Sequence, residues 1–235
     1  MTEANTTNGR LRWDQEGEKI YETGTSNGVL YTSKKEGGYN NGVPWNGLIA
    51  VKQSAEGSEP TDVYANNKVY LSMRSSEKFK GTIEAYTYPD EFMECDGSKE
   101  VANGLFVGQQ NRNSFGLSYK TLIGNDIEGD AYGEKLHIIY GATVAPSSRD
   151  YSTVNDTPAA ISFSWEFSTV PAEIAPELEK LGLKPTAYVG INLSKLKEAQ
   201  VASIKDLLWG SESAPAKLPT LTELVQIIDP EILEG

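Results

Sequence analysis

From Ile161 to Ser168 apolar and polar residues alternate without a break. Ile161, Phe163, Trp165 and Phe167 fall on one side, and Ser162, Ser164, Glu166 and Ser168 on the other. A period of two is that of a strand with one face on a core and one in water. A slip of one residue would turn four large apolar side chains outward, at roughly 1.5–3 kcal/mol each, so the register is strongly specified. Pro158 suits the approach to such a strand, where no ladder donor is needed. The same alternation predicts strands over residues 81–88, over 115–121 (Phe115, Leu117 and Tyr119 on one face) and over 134–145 (Leu136, Ile138 and Tyr140). Residues 124–133 read as the hairpin connection between the last two. A final strand spans 186–193, with Ala187, Val189, Ile191 and Leu193 alternating.

Earlier in the chain the pattern is coarser. Trp13, Ile20 and Tyr21 are expected to anchor residues 11–23, and Val29, Leu30 and Tyr31 to form a short strand after a Ser-Asn-Gly turn. Residues 43–52 read as one strand region. Residues 34–42 and 53–62 are polar loops by composition, and residues 63–79 hold short β-like pieces. Residues 90–95 suggest a helical turn, and 99–110 stand between strand and loop. After Val170 the character changes: a helical turn is expected within 171–184, ending at Gly182. Ser194 is the expected N-cap of a helix over 197–209, whose Val201, Ile204, Leu207 and Leu208 make an apolar stripe. A shorter helix follows over 220–228, before Pro230. The expected fold class is mainly β (α+β), with helices toward the C-terminal end. Residues 1–10 would be a disordered arm, 11–210 the main domain and 211–235 a tail with a short helix.

Composition narrows the partners. The 235 residues hold 33 acidic and 21 basic side chains, a formal net charge of −12. That argues against ordinary binding to a phosphate backbone, which takes a Lys/Arg patch. No apolar run approaches 18 residues, and residues 1–10 are too polar for a signal peptide. The single cysteine, Cys95, excludes an internal disulfide and suits a reducing cytosol.

Candidate chemistry is weak at every point. Gly24-Thr25-Ser26-Asn27-Gly28 matches G-x-S-x-G, but that motif needs a helix after it, and Val29-Leu30-Tyr31 is β-like. The stretch reads better as a turn. A triad would also need His137, the sole histidine, which sits mid-strand as a structural or surface residue. Asn125, Asp126, Glu128 and Asp130 fail the spacing and closing Glu of a calcium loop and read as a solvated hairpin tip. Asp90, Glu91, Glu94 and Asp96 give no sign of facing one another across a cleft. Cys95 lacks a histidine of its own. No cofactor fingerprint is present, and an enzyme is poorly supported.

Several blocks, in order, resemble the major tail protein (tail tube protein) of long-tailed, non-contractile bacteriophages. They are LRWDQEGEKIYETGTSNGVLY from Leu11, GVPWNGL from Gly42, IEAYTYPDEFMECDGS from Ile83, GLSYKTLIGND from Gly116, GEKLHIIYGATVAPSSRDYSTVNDTP from Gly133, ISFSWEFST from Ile161 and KPTAYVGINLS from Lys184. Residues 171–184 and 218–235 depart from the family's pattern. The resemblance implies a β-sandwich or barrel core flanked by a C-terminal helix, and hexameric rings stacked into a hollow tube. It implies tape measure, tail terminator and tail-tip proteins as partners, and double-stranded DNA passing through the lumen without specific binding. It implies a virion tail location after synthesis in the host bacterial cytoplasm, with no catalytic residue, cofactor or membrane. On that footing Glu84, Glu166, Ser162 and Ser164 are expected to line the lumen, which would be net acidic. The loop residues Glu36, Tyr39, Asn40 and Asn41 are expected to reach the next ring. A tube of a phage-tail-like bacteriocin or secretion system, or a monomeric β-sandwich binding module, are the alternatives.

Overall fold

The computed structural model describes residues 6–7, 10–57, 60–73, 77–153 and 160–233. In chain order the strands are β1 (Thr6–Thr7), β2 (Arg10–Leu11), β3 (Tyr21–Thr32), β4 (Val43–Trp45), β5 (Leu48–Glu56), β6 (Thr61–Ala65), β7 (Lys68–Met73) and β8 (Lys78–Ala85). A 3-10 turn, Asp90–Phe92, leads into α1 (Met93–Asp96). Then come β9 (Lys99–Ala102), β10 (Leu105–Val107), β11 (Phe115–Asn125), β12 (Gly129–Val144), β13 (Phe163–Thr169), α2 (Pro176–Lys180), β14 (Tyr188–Asn192), α3 (Glu198–Trp209) and α4 (Leu221–Ile228).

One antiparallel sheet runs β4-β3-β11-β12-β13-β8-β5. Its two end strands are consecutive in the chain, with only Asn46-Gly47 between them, and Gly47 takes φ 72. A sheet whose ends are joined by two residues must roll up until those ends meet. β12 holds the roll together. Its Lys135–Ile139 half pairs β14, and its Ala142–Val144 half pairs β13. The handover falls at Gly141, φ 58, where a Cβ would strike the Val170 carbonyl oxygen.

Alternation along the strands feeds two cores. Inside the roll lie Leu30, Trp45, Ile83, Phe115, Leu117, Ile139, Trp165 and Phe167, with Phe92 plugging one end. Trp165 is fully buried, with ring centroids 5.1 Å from Phe92 and 5.9 Å from Trp45, both edge-on. Outside the roll, Val29, Tyr31, Leu136, Ile138 and Tyr140 pack under Ile204 and Leu208 of α3 and under Leu218 and Leu224. The polar tips in this layer are satisfied: the Tyr31 hydroxyl donates to the Leu208 carbonyl at 2.6 Å, and the Tyr140 hydroxyl to the Pro219 carbonyl at 2.9 Å. The protein is thus mainly β with a helix-covered flank, as expected. No helix among the described residues is long and apolar enough to cross a membrane.

Several local expectations need correction. The Gly24–Gly28 stretch is no turn; it lies within the twelve-residue β3. Gly24 (φ 68) and Asn27 (φ 52) take up the irregularities where the ladder with β11 shifts register. Trp13, Ile20 and Tyr21 enter neither core, being 73, 57 and 45 % exposed. Residues 43–52 are two strands, because Asn-Gly turns the chain from one end of the sheet to the other. Most of the presumed loop 53–62 is strand, split between β5 and β6. The strand expected from Ile161 begins at Phe163, so Ile161 and Ser162 precede it. Ser194 caps nothing: Leu196 is extended, and Lys197 stands at the N-cap of α3. Thr220 does cap α4, accepting from the Glu223 amide while Glu223 accepts from the Thr220 amide. Residues 211–233 pack as part of the outer layer through Leu218 and Leu224. The expected disorder of residues 1–10 falls mostly outside the described residues, as does Pro158; β1 and β2 pair antiparallel.

Candidate functional site

Two hairpins stand off the rolled sheet. In the first, β6 and β7 pair through Ala65↔Lys68, so the loop is Asn66-Asn67 alone, at φ 51 and 61. Two positive-φ residues make the turn that suits a two-residue hairpin, and asparagine tolerates them. In the second, β9 and β10 pair through Ala102↔Leu105 around Asn103-Gly104, with Gly104 at φ 80. Every residue of these four strands is exposed. Their composition is nonetheless apolar: Val63, Leu71 and Met73 share one face of the first hairpin by register, with Tyr64, Val69 and Tyr70 beside them. On the second, Val101, Leu105 and Val107 are exposed, with Phe106 exposed on the face opposite Val107. An isolated two-stranded hairpin is marginal in water. Exposed apolar strands of this kind mark surfaces that another body covers.

The edges of the sheet add to this. β5 pairs β8 on one side and has no strand on the other among the described residues. β3 pairs β4 only over Gly28–Leu30, which leaves its first half unpaired on that side. Unpaired N–H and C=O groups along such edges invite strand addition.

The third feature is the outer face of β5, β8 and β13, which α3 does not cover. Register places Ser164 opposite Glu84 and Glu166 opposite Thr82. Glu84, Glu166 and Ser164 therefore do share one polar face, whereas Ser162 lies before the strand. The face is not the acidic one expected. Lys52 pairs with Glu84, and Lys80 with Glu56, which leaves Glu166 as its unpaired carboxylate among the described residues. Lys78, registered opposite Glu56, adds a cation, and Thr82, Ser164, Ser168 and Ser54 supply hydroxyls.

The loop residues expected to reach a neighbour divide. Glu36 and Asn41 are exposed, but Tyr39 turns back into the outer core, its hydroxyl accepting from the Gly141 amide at 2.9 Å. Burial pushes its phenol above the usual pKa. Asn40 donates to the Thr32 hydroxyl at 2.9 Å. An aromatic ring beside an uncovered apolar layer gains more by folding onto it than by waiting in solvent.

The weak chemical candidates are occupied by the chain's own contacts. Ser26 lies in β3, and His137 bonds elsewhere: Nε2 meets Thr121 at 2.8 Å and Glu22 at 3.1 Å, Nδ1 meets the Tyr188 hydroxyl at 2.8 Å, and its ring stacks on Tyr119. Burial, then Lys135, holds the imidazole below its ordinary pKa despite Glu22. Burial opposes the Glu22 charge, but the Thr121 hydroxyl and Lys135 prevail and hold that carboxyl low. In the acidic loop, Asp126 accepts from the Gly17 amide and Asp130 from the Tyr21 hydroxyl, docking residues 17–21. Glu94 accepts from Asn113, and Asp96 pairs with Arg149. Burial, with Glu94 and Asp96, pushes the Cys95 thiol up to about 12, far from nucleophile range. Among the described residues no cluster of three His, Cys, Asp or Glu side chains is placed to hold a metal ion.

The two hairpins are the surfaces that pattern reading missed. The signal was present: Asn66-Asn67 and Asn103-Gly104 each sit between apolar runs, the strongest short-range mark of a hairpin. Compared with known proteins, the chain matches no family model and no curated sequence.

Proposed function

We propose that this protein is a structural tube subunit, self-assembling into stacked rings as the tail tube of a long-tailed bacteriophage. The observation that carries the reading is the β6–β7 hairpin, apolar and exposed over its whole described length. A second copy is the partner that the fold itself suggests. The free edge of β5 and the half-free edge of β3 offer backbone pairing to a neighbour in a head-to-tail ring, which removes both edges. The hairpin then spans to an adjacent subunit and buries its apolar face there.

In that assembly the outer face of β5, β8 and β13 lines the bore. Its carboxylates Glu56, Glu84 and Glu166 are balanced by Lys52, Lys78 and Lys80, so with the hydroxyls the face carries almost no net charge. Such a wall neither grips a phosphate backbone nor repels it strongly, so a duplex slides. The tape measure protein would occupy the bore before DNA does, and terminator and tip proteins would close the two ends. The location is the virion tail.

Electron microscopy and sedimentation of the purified protein across a concentration series test the reading. Rings or hollow tubes appearing with concentration, or on addition of tail-tip proteins, are the expected result. A chain that stays monomeric under both conditions is a binding module instead.

A further inference from the structure

At the root of the β9–β10 hairpin is a polar concavity of about 400 Å3, lined by Asp96, Ser98, Gln110, Arg112, Ser147 and Arg149 among others. The loop leaving β10 is stitched to α1: the Gln110 amide donates to the Gly97 carbonyl at 2.9 Å and the Asn113 amide to the Glu94 carbonyl at 3.0 Å. This fixes Arg112 over Gly97, so closely that a Cβ at position 97 would lie 3.2 Å from its guanidinium carbon. The Arg112 Nε–H is buried and finds no acceptor among the described residues. A buried N–H of a charged group without an acceptor is costly, and native structures rarely leave one.

Across the concavity, Arg149 pairs with Asp96 and lies over the rings of Tyr88 and Phe163, 5.7 and 5.8 Å from their centroids. Asp96 is therefore already matched by one arginine. Glu94, the next carboxylate along α1, is taken by the Asn113 side chain. Lys99 opens β9 at the same rim. The site holds two guanidiniums against one carboxylate, in a protein whose overall charge is −12.

We propose that this concavity is an oxyanion socket, and that its occupant is an acidic side chain of a second copy of this chain. Guanidinium forks match the planar, paired oxygens of a carboxylate. The occupant follows from charge and position. A second copy presents mostly carboxylates, and the socket adjoins the exposed apolar β9–β10 hairpin, so a body that covers the hairpin also covers the socket. The apolar strands supply contact area and the socket sets orientation, since two guanidiniums lining one concavity accept a planar oxyanion in few poses. The occupant rests on the assembly reading above; the socket does not.

The test uses the full chain, dilute and unassembled, with arginine side chains labelled with nitrogen-15. Sodium acetate is titrated against sodium chloride at equal ionic strength, with inorganic phosphate as a second arm. The Arg112 Nε–Hε resonance is expected to shift saturably with acetate, and to lose that response in Arg149→Gln. No saturable shift overturns the socket. Arg112→Gln and Arg112→Lys are then compared with wild type in the assembly series. Because Arg112 Nε makes no bond within the chain, both variants are expected to melt with the wild type. Both should raise the concentration for half-assembly by about tenfold, the scale of a charged hydrogen bond. Assembly unchanged in both variants, with phosphate saturating the resonance, makes a free anion the occupant and overturns the second copy. A wild type that never associates while the acetate shift persists counts against the assembly reading and leaves the socket standing.

Discussion

Replacing Val63, Leu71 and Met73 together by alanine strips one face of the β6–β7 hairpin without touching either core. In the subunit these side chains are 38, 50 and 53 % exposed, so together they hold somewhat more than one full side chain's worth of uncovered apolar surface. Covering a whole side chain of this kind is worth roughly 1.5–3 kcal/mol, so covering what remains exposed contributes about 2–4 kcal/mol per subunit contact. At a factor of ten per 1.4 kcal/mol, the concentration for assembly should rise roughly 30- to 1,000-fold. The folded subunit should lose little, because these side chains belong to neither core. The assay is sedimentation velocity across a concentration series, paired with thermal melting of the dilute subunit. A variant that melts like the wild type yet assembles at the wild-type concentration would refute the argument that this hairpin is an assembly contact. Weaker assembly with an equal loss of melting temperature would refute the claim that the hairpin stands apart from the fold.

Four further outcomes follow from the fold. Gly81→Ala should destabilise the subunit by about 1–3 kcal/mol in urea unfolding, because a Cβ there meets the Lys52 carbonyl and the Phe167 ring between β5 and β13; an unchanged midpoint would contradict the close approach. His137 is neutral when folded, with its pKa lowered, so the unfolded chain takes the proton first; stability should fall as pH drops through about 6.5, and His137→Gln should flatten that slope. Glu22, whose folded pKa is also low, should add a separate loss below about 4.5, visible in the same pH series. The Cys95 thiol should resist a disulfide reagent at pH 8 in the native protein and react at once in urea, measured by released chromophore.

Strict alternation was enough to find one core face in each of β11, β12, β13 and β14. Phe115, Leu117 and Tyr119 do line one interior, and Leu136, Ile138 and Tyr140 the other. What alternation cannot show is that β3 and β12 are buried on both sides: Leu30 and Val29 go to different cores although they are neighbours. A strand covered on two faces loses the polar half of its pattern. The early chain was harder for another reason. Its irregular β3 carries Gly and Asn at positive φ, which read locally as a turn. The polar face with Glu84 and Glu166 was legible, but its charge balance was not, since Lys52 of β5 meets Glu84 of β8, and Glu56 of β5 meets Lys80 of β8, only through the register. Arg112 carried no mark in the sequence; its burial depends on a loop bonded to α1 nineteen residues away through Asn113 and Glu94.

The rolled sheet also constrains synthesis. β5 and β8 pair early, but β8 must wait for β13, and the roll is complete only when residues 163–169 have left the ribosome. The outer layer comes later still, with α3 and α4. Contacts this distant along the chain make folding slow and leave unpaired edges exposed meanwhile. A chain whose synthesis has not passed residue 169 therefore cannot close the roll, and any partner that recognises the finished sheet meets it only later.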